Sequence, residues 1–145
     1  MQALLPILFA IVAGLGVAVQ SPSNAMLARS SGSVWFAATV SFLGGTSLLL
    51  AIWLLYDRTP IAAIRQAPPW AWIGGLYGVG FVAAVAWATP RIGLAVTLTV
   101  TIAAQLTMAV VVDHFGWLGV REQPVSLTRI AGLALVIAGV ALVRR

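Results

Sequence analysis

The sequence predicts an all-α fold: a polytopic membrane protein whose residues 1–145 form a single domain of five transmembrane helices. Three observations predict it. Charged residues make up only 8% of the 145 positions, against 61% hydrophobic, where a soluble domain carries about 25% charge. The mean hydropathy is +1.06. The few charges also fall between long charge-free stretches at residues 1–28, 30–56, 66–90, 92–112 and 130–143. A soluble fold needs a polar surface, and these 11 charges (8 basic, 3 acidic) cannot provide one. Soluble enzymes, nucleic-acid modules and disordered chains are excluded on this ground.

A membrane-spanning helix needs about 20 mainly apolar residues. The first four stretches reach that length. The fifth has 14 residues and becomes adequate if its helix begins near Leu127 and Arg129 snorkels from the first turn. The expected helices cover residues 3–28, 33–56, 70–89, 92–112 and 127–143. The first is read as a retained span, because it lacks the basic start of a signal peptide and its apolar run exceeds the usual length of about 7–15 residues.

Taken in order, the first helix carries Pro6 in its opening turns, where proline is tolerated. It closes in Gln20-Ser21-Pro22-Ser23-Asn24. Pro22 has no N–H and crowds the carbonyl four residues back, so a kink or a break by local unwinding is expected near Ala18–Pro22. Gly32 suits a left-handed C-cap and Ser33 an N-cap for the second helix. That helix ends at Trp53–Tyr56, an aromatic interface belt. Thr59-Pro60 suggests a short interfacial helix before Trp70 and Trp72 mark the return to lipid. The third helix holds Gly74 and Gly78, spaced for close helix approach. Thr89-Pro90-Arg91 reads as a tight turn. The fourth helix closes in Asp113-His114-Phe115-Gly116, and Ser126 caps the fifth.

All eight cations are arginines, scattered singly rather than in a basic stripe. They read as interface anchors and not as a nucleic-acid surface. With five spans, Arg58, Arg65, Arg121 and Arg129 fall on one side, and Arg29, Arg91, Arg144 and Arg145 on the other. The positive-inside rule orients a chain by the bias between sides, and here the bias is 4 − 4 = 0. One reading is a single orientation set by weaker features. The other is dual topology, in which copies insert both ways and pair antiparallel. Five helices are few to enclose a path, and many transporters consist of two inverted repeats; a five-helix chain inserted both ways would supply both repeats, each copy a half-transporter, and both readings stand at this point.

Polar residues at membrane depth mark the candidate site. Gln20 and Asn24 share a face of the first helix; Thr97, Thr101 and Gln105 form a stripe on the fourth; Ser41 lies on the second and Trp87 near the end of the third. These seven are the candidate substrate contacts. Side-chain glue between helices is the competing reading, especially for the threonines, which can bond their own backbone. Arg29, Arg91, Asp113 and His114 are candidate gate or mouth residues, the arginines able to draw anions inward. No carboxylate lies in mid-span, which argues against proton- or cation-coupled transport through an intramembrane acid. One His, three acids and zero Cys supply neither a catalytic triad nor a metal site. No enzyme activity and no cofactor is expected. The function classes held open are a secondary transporter of a small polar solute, a passive channel, and a non-transporting assembly protein.

The run Gln20-Ser-Pro-Ser-Asn24-Ala-Met-Leu-Ala-Arg29, then Gly32-Ser and Ala-Ala-Thr-Val-Ser41-Phe-Leu-Gly44, resembles the start of the small YdcZ-type inner-membrane proteins of the drug/metabolite transporter superfamily. Asp113-His-Phe-Gly116 and Arg129-Ile-Ala-Gly132-Leu-Ala-Leu-Val-Ile-Ala-Gly139-Val resemble that family's end, and the last piece is similar to the terminal helix of small multidrug resistance proteins. The resemblance implies a bacterial inner-membrane location, five helices, antiparallel pairing, and Gly132 and Gly139 on the helix that packs against the partner. It implies no particular substrate. One departure stands out: the first helix of small multidrug resistance proteins keeps a carboxylate, whereas the matching stretch here reads Ile11-Val-Ala-Gly-Leu-Gly-Val-Ala-Val19. Proton-coupled export of cationic drugs by that route is therefore not expected.

Overall fold

A computed structural model of the chain describes residues 4–144. The expected helix start at residue 3, and Arg145 of the orientation count, lie outside the described residues. The chain folds as two compact units, Met1–Arg91 and Ile92–Arg145. The first holds α1 (Leu4–Ser31), α2 (Val34–Ile52) and most of α3 (Gly74–Ile92). The second holds α4 (Leu94–Phe115) and α5 (Leu127–Val143). Among the described residues all regular structure is helical. Four helical segments are long and apolar enough to cross a membrane: Leu4–Ser31, Val34–Asp57, Pro69–Ile92 and Leu94–Phe115. At 17 residues α5 is shorter, about 25 Å at the α-helical rise.

The break expected at Pro22 does not occur. The backbone stays helical through Pro22 to Ser31. Lipid supplies the physical reason. Unwinding a turn would free several backbone groups where no water can satisfy them, whereas running through proline forfeits one hydrogen bond. The Ser23 hydroxyl donates to the Val19 carbonyl at 3.0 Å, beside the forfeited bond.

The turn between α1 and α2 is built as expected. Gly32 takes φ +74°. Ser33, with extended backbone, accepts from the Phe36 N–H at 3.2 Å and caps α2. This two-residue link brings α1 and α2 side by side. Small residues of both helices are buried, Ala25 of α1 and Ala37 and Ala38 of α2, the residue type that membrane helices use for packing.

The α-helical part of α2 ends at Ile52, four residues short of expectation, and continues as a π-helical turn, Trp53–Asp57. Arg58 closes it in the left-handed region (φ 53°), its N–H bonding the Trp53 carbonyl at 2.7 Å. The Trp53 indole donates to the Thr59 carbonyl at 2.8 Å, tying the exit of α2 to the following link. The expected interfacial helix is a 3-10 segment, Ile61–Gln66, whose N-cap is Pro60 and not Thr59. A second 3-10 segment, Pro69–Ile73, precedes α3; Pro69 sits in its first turn, where a missing N–H costs nothing.

The turn expected at Thr89-Pro90-Arg91 is also displaced. α3 runs through Pro90 to Ile92, and the helix stops at Gly93, where φ is +84°. A left-handed residue terminates a helix cheaply only when it is glycine. The Gly93 carbonyl then accepts from the Thr97 N–H at 3.0 Å in the first turn of α4.

Of the glycine pair on α3, only Gly78 makes a close approach. A methyl group there would lie 3.2 Å from the Phe42 ring of α2, while one at Gly74 would meet open space. Gly78→Val is expected to lower the thermal stability of the purified protein by about 1–3 kcal/mol through overpacking. Gly74→Ala should be neutral or stabilising, because helix propensity improves with nothing in the way. Retained stability in Gly78→Val would contradict the contact; rescue of Gly78→Val by Phe42→Leu would confirm it.

Candidate functional site

The first unit gathers polar side chains inside an otherwise apolar contact. Ser21 and Asn24 are 3% and 4% exposed, and they are buried beside Ala25 of α1 and Val82, Val85 and Ala86 of α3. Val17, Gln20, Ser21 and Asn24 line one side of a void of about 10 Å³, with Phe81, Val82, Val85 and Ala86 on the other. That is about the room one water needs. Gln20 also borders a second cavity of about 200 Å³, with Ser41, Phe42 and Thr46 of α2. Gln20 therefore borders both α2 and α3: it shares one void with Asn24, the partner its spacing predicted, and another with Ser41.

The cluster is clasped by a pair that spacing did not suggest. The Ser21 and Thr89 hydroxyls lie 2.9 Å apart, joining α1 to the end of α3 across 68 positions. Ser21 was visible only as a helix-breaking context for Pro22, and Thr89 as part of an expected turn. One signal could have found them: Ser21 lies three residues before Asn24 and so shares a helix face with it, and a buried hydroxyl needs a partner.

Trp87 lies elsewhere. It lines a cavity of about 690 Å³ together with Arg29, Ser33, Trp35 and Arg91. The Arg91 guanidinium stacks over the Trp87 ring at 3.9 Å and donates back to the Trp87 carbonyl. Ala86 borders both this cavity and the Gln20–Asn24 void, and is 1% exposed. The ends of α1 and α3 thus place Arg29 and Arg91 around one opening, one wall residue from the polar cluster.

Thr97, Thr101 and Gln105 lie in the second unit, on α4. Thr97 donates to the Gly93 carbonyl at 2.8 Å and Thr101 to the Leu98 carbonyl at 2.9 Å. Both hydroxyls are therefore satisfied on their own helix. Gln105 is exposed.

Asp113 and His114 sit in the last turn of α4 and hold the following loop. Asp113 pairs with Arg129 at 3.3 Å, each side chain about one-third exposed, and its carbonyl accepts from the Gln123 N–H at 2.7 Å. Arg129 also donates to the Gln123 side-chain and main-chain carbonyls. His114 Nδ1 accepts from the Val125 N–H at 3.3 Å. These contacts, with Gly116 at φ +61° and the Ser126 cap on Arg129 N–H, staple the α4–α5 connection. A partly solvated pair of this kind contributes about 0–1 kcal/mol. A double-mutant cycle with Asp113→Asn and Arg129→Gln should give a coupling below about 1 kcal/mol that shrinks with salt; a coupling of several kcal/mol would mean a desolvated pair instead.

Membrane-length apolar helices with a polar cluster buried among them define a multi-pass membrane protein. Comparison with known proteins narrows that class. Residues 5–142 match the family described as "Putative inner membrane exporter, YdcZ", and the chain belongs to this family. It is 29% identical over 145 residues to inner membrane protein YdcZ of Escherichia coli (strain K12), an alignment covering 97% of this chain and 95% of that protein. No solved structure matches. The protein is therefore a multi-pass protein of the bacterial inner membrane, from a family of membrane exporters and not of enzymes. Its role is membrane transport in that general sense.

Proposed function

We propose that the protein is a secondary transporter of a small polar solute, working by alternating access as a dual-topology antiparallel homodimer of five-span chains. The observation that carries this reading is the burial of Ser21 and Asn24 beside Gln20 at the α1–α3 contact. Burying a polar group away from water costs free energy unless it is partnered. A cluster that combines amide donors and acceptors with adjoining cavities of about 10 and 200 Å³ has the chemistry to receive a solute. Gln20, Asn24 and Ser41 form the core of the proposed site. Arg29, Arg91 and Trp87 line the neighbouring cavity and stand at its mouth; Thr97, Thr101 and Gln105 of the second unit are further candidate substrate contacts.

The fifth span is α5. Its 17 residues fall short of a hydrocarbon core of about 30 Å. Local thinning and the snorkelling of Arg129, already held by Asp113, close the gap. Gly132 and Gly139 lie seven apart on α5, and a methyl group at either would meet open space within the chain. That leaves this face for the partner copy.

Flux into proteoliposomes is the test. A carrier gives flux that saturates with solute concentration and is lost on substituting Asn24. Flux rising linearly without saturation would replace the carrier with a channel. Normal flux in the Asn24 variant, with a fall only in dimer stability, would reduce the cluster to interhelical packing.

A further inference from the structure

The cavity of about 690 Å³ where α1 ends, α2 begins and α3 ends is built for an anion. Its size falls within the range of small-molecule pockets, about 300–1,000 Å³. Arg29 and Arg91 both line it. The first turn of α2, which opens into the cavity at Ser33 and Trp35, contains no acidic residue, so its positive end adds to the two guanidinium charges. The one acid of the first unit is Asp57. It lies at the far end of the α2 segment, about 35 Å away along the axis at the helical rise, where it receives the Thr59 hydroxyl. Within the first unit, the two arginines share a cavity with no carboxylate among its lining residues.

Arg91 is also held in place. Its guanidinium carbon lies 3.9 Å from the Trp87 ring centroid and one guanidinium N–H donates to the Trp87 carbonyl, two contacts that restrict the side chain. Trp35 and Trp87 are 64% and 53% exposed, offering aromatic surface beside the cations. Arg29 and Arg91 are both exposed, so their guanidinium groups are open to a ligand that enters the cavity.

We propose that this cavity binds an oxyanion, a phosphate or carboxylate, carried on an apolar or aromatic body. Arg29 and Arg91 grip the oxyanion through charge-assisted hydrogen bonds, and Trp35 meets the body. The same chemistry is offered by a soluble organic anion and by the headgroup of an anionic lipid. The site stands on this cavity and not on the transport reading, so binding without flux would retain the one and remove the other.

The experiment measures equilibrium binding of phenyl phosphate and inorganic phosphate to the full chain in nanodiscs of phosphatidylcholine. Phenyl phosphate should bind more tightly than inorganic phosphate. Arg29→Gln and Arg91→Gln should each weaken it at least about tenfold, the effect of losing roughly one charged hydrogen bond. Arg29→Lys and Arg91→Lys, which keep the charge but lose the fork, should fall in between and guard against misfolded variants. Trp35→Leu should weaken phenyl phosphate and spare inorganic phosphate. Repeating the titration in nanodiscs containing phosphatidylglycerol separates the sources: competition assigns the site to a lipid headgroup, and unchanged binding assigns it to a soluble anion. Absence of phenyl phosphate binding in phosphatidylcholine, or binding unaffected by every arginine substitution, would overturn the proposal.

Discussion

Asn24→Ala is expected to cut solute flux into proteoliposomes by about 10- to 100-fold while leaving the protein folded. The amide is 4% exposed and faces the small void shared with Gln20 and Ser21. A side-chain hydrogen bond within a membrane protein contributes about 0.6–2 kcal/mol. One amide can give and accept two such bonds to a solute, and each 1.4 kcal/mol is a factor of about ten. Stability should change little, since alanine removes a buried polar group and leaves a void that was already one water in size. Gln20→Ala should act in the same direction and less strongly, because Gln20 is exposed and borders a roomier cavity. Thr99→Ala serves as the control: its hydroxyl is bonded to the Ala95 carbonyl on its own helix, and flux should be unchanged. The solute for this assay is found first by a thermal-shift screen of the purified protein. Equal flux in wild type and Asn24→Ala would remove the site assignment.

A second result concerns orientation. The chain contains zero cysteines, so Ser31→Cys and Thr59→Cys each introduce one reporter without further engineering. Both positions are exposed and lie at opposite ends of the α2 segment. An impermeant maleimide should label each of them from both sides of the membrane, in roughly equal parts, because the arginine count leaves no bias for insertion to act on. Labelling of each position from one side alone would refute dual topology. Shifting the count should then act as a switch: Arg58→Gln with Arg65→Gln leaves two arginines against four and should drive labelling to one pattern.

The spans were legible because their cause is local. Charge is excluded from hydrocarbon at every position independently, so gaps between Arg29, Asp57, Arg65, Arg91 and Asp113 mark helices without knowledge of any contact. The caps at Ser33 and Ser126 and the left-handed Gly32 were legible for the same reason, since each is decided within a few residues. The prolines misled. Pro22 and Pro90 read as breaks by their own chemistry, yet both lie inside continuous helices. The deciding energy comes from the surrounding lipid, which penalises an unwound turn more than one missing bond. The site was legible in part. Gln20 and Asn24 share a helix face by arithmetic, and Ser41 joined them only through the packing of α1 and α2. Trp87 moved to the arginine cavity, and Thr97 and Thr101 bond their own helix.

By itself the sequence determined that this chain lives in a membrane, where its apolar helices run, and that its arginines are evenly divided; each follows from transfer energies that add residue by residue. Tertiary structure alone decided that Ser21 meets Thr89 across 68 positions, that Asp113 and Arg129 staple the α4–α5 loop across 16, and that Arg29 and Arg91 open on one cavity. Those are contacts between helices. In lipid, helix pairing is selected by close fit and by the need to satisfy polar groups, and neither can be summed along a single strand of text.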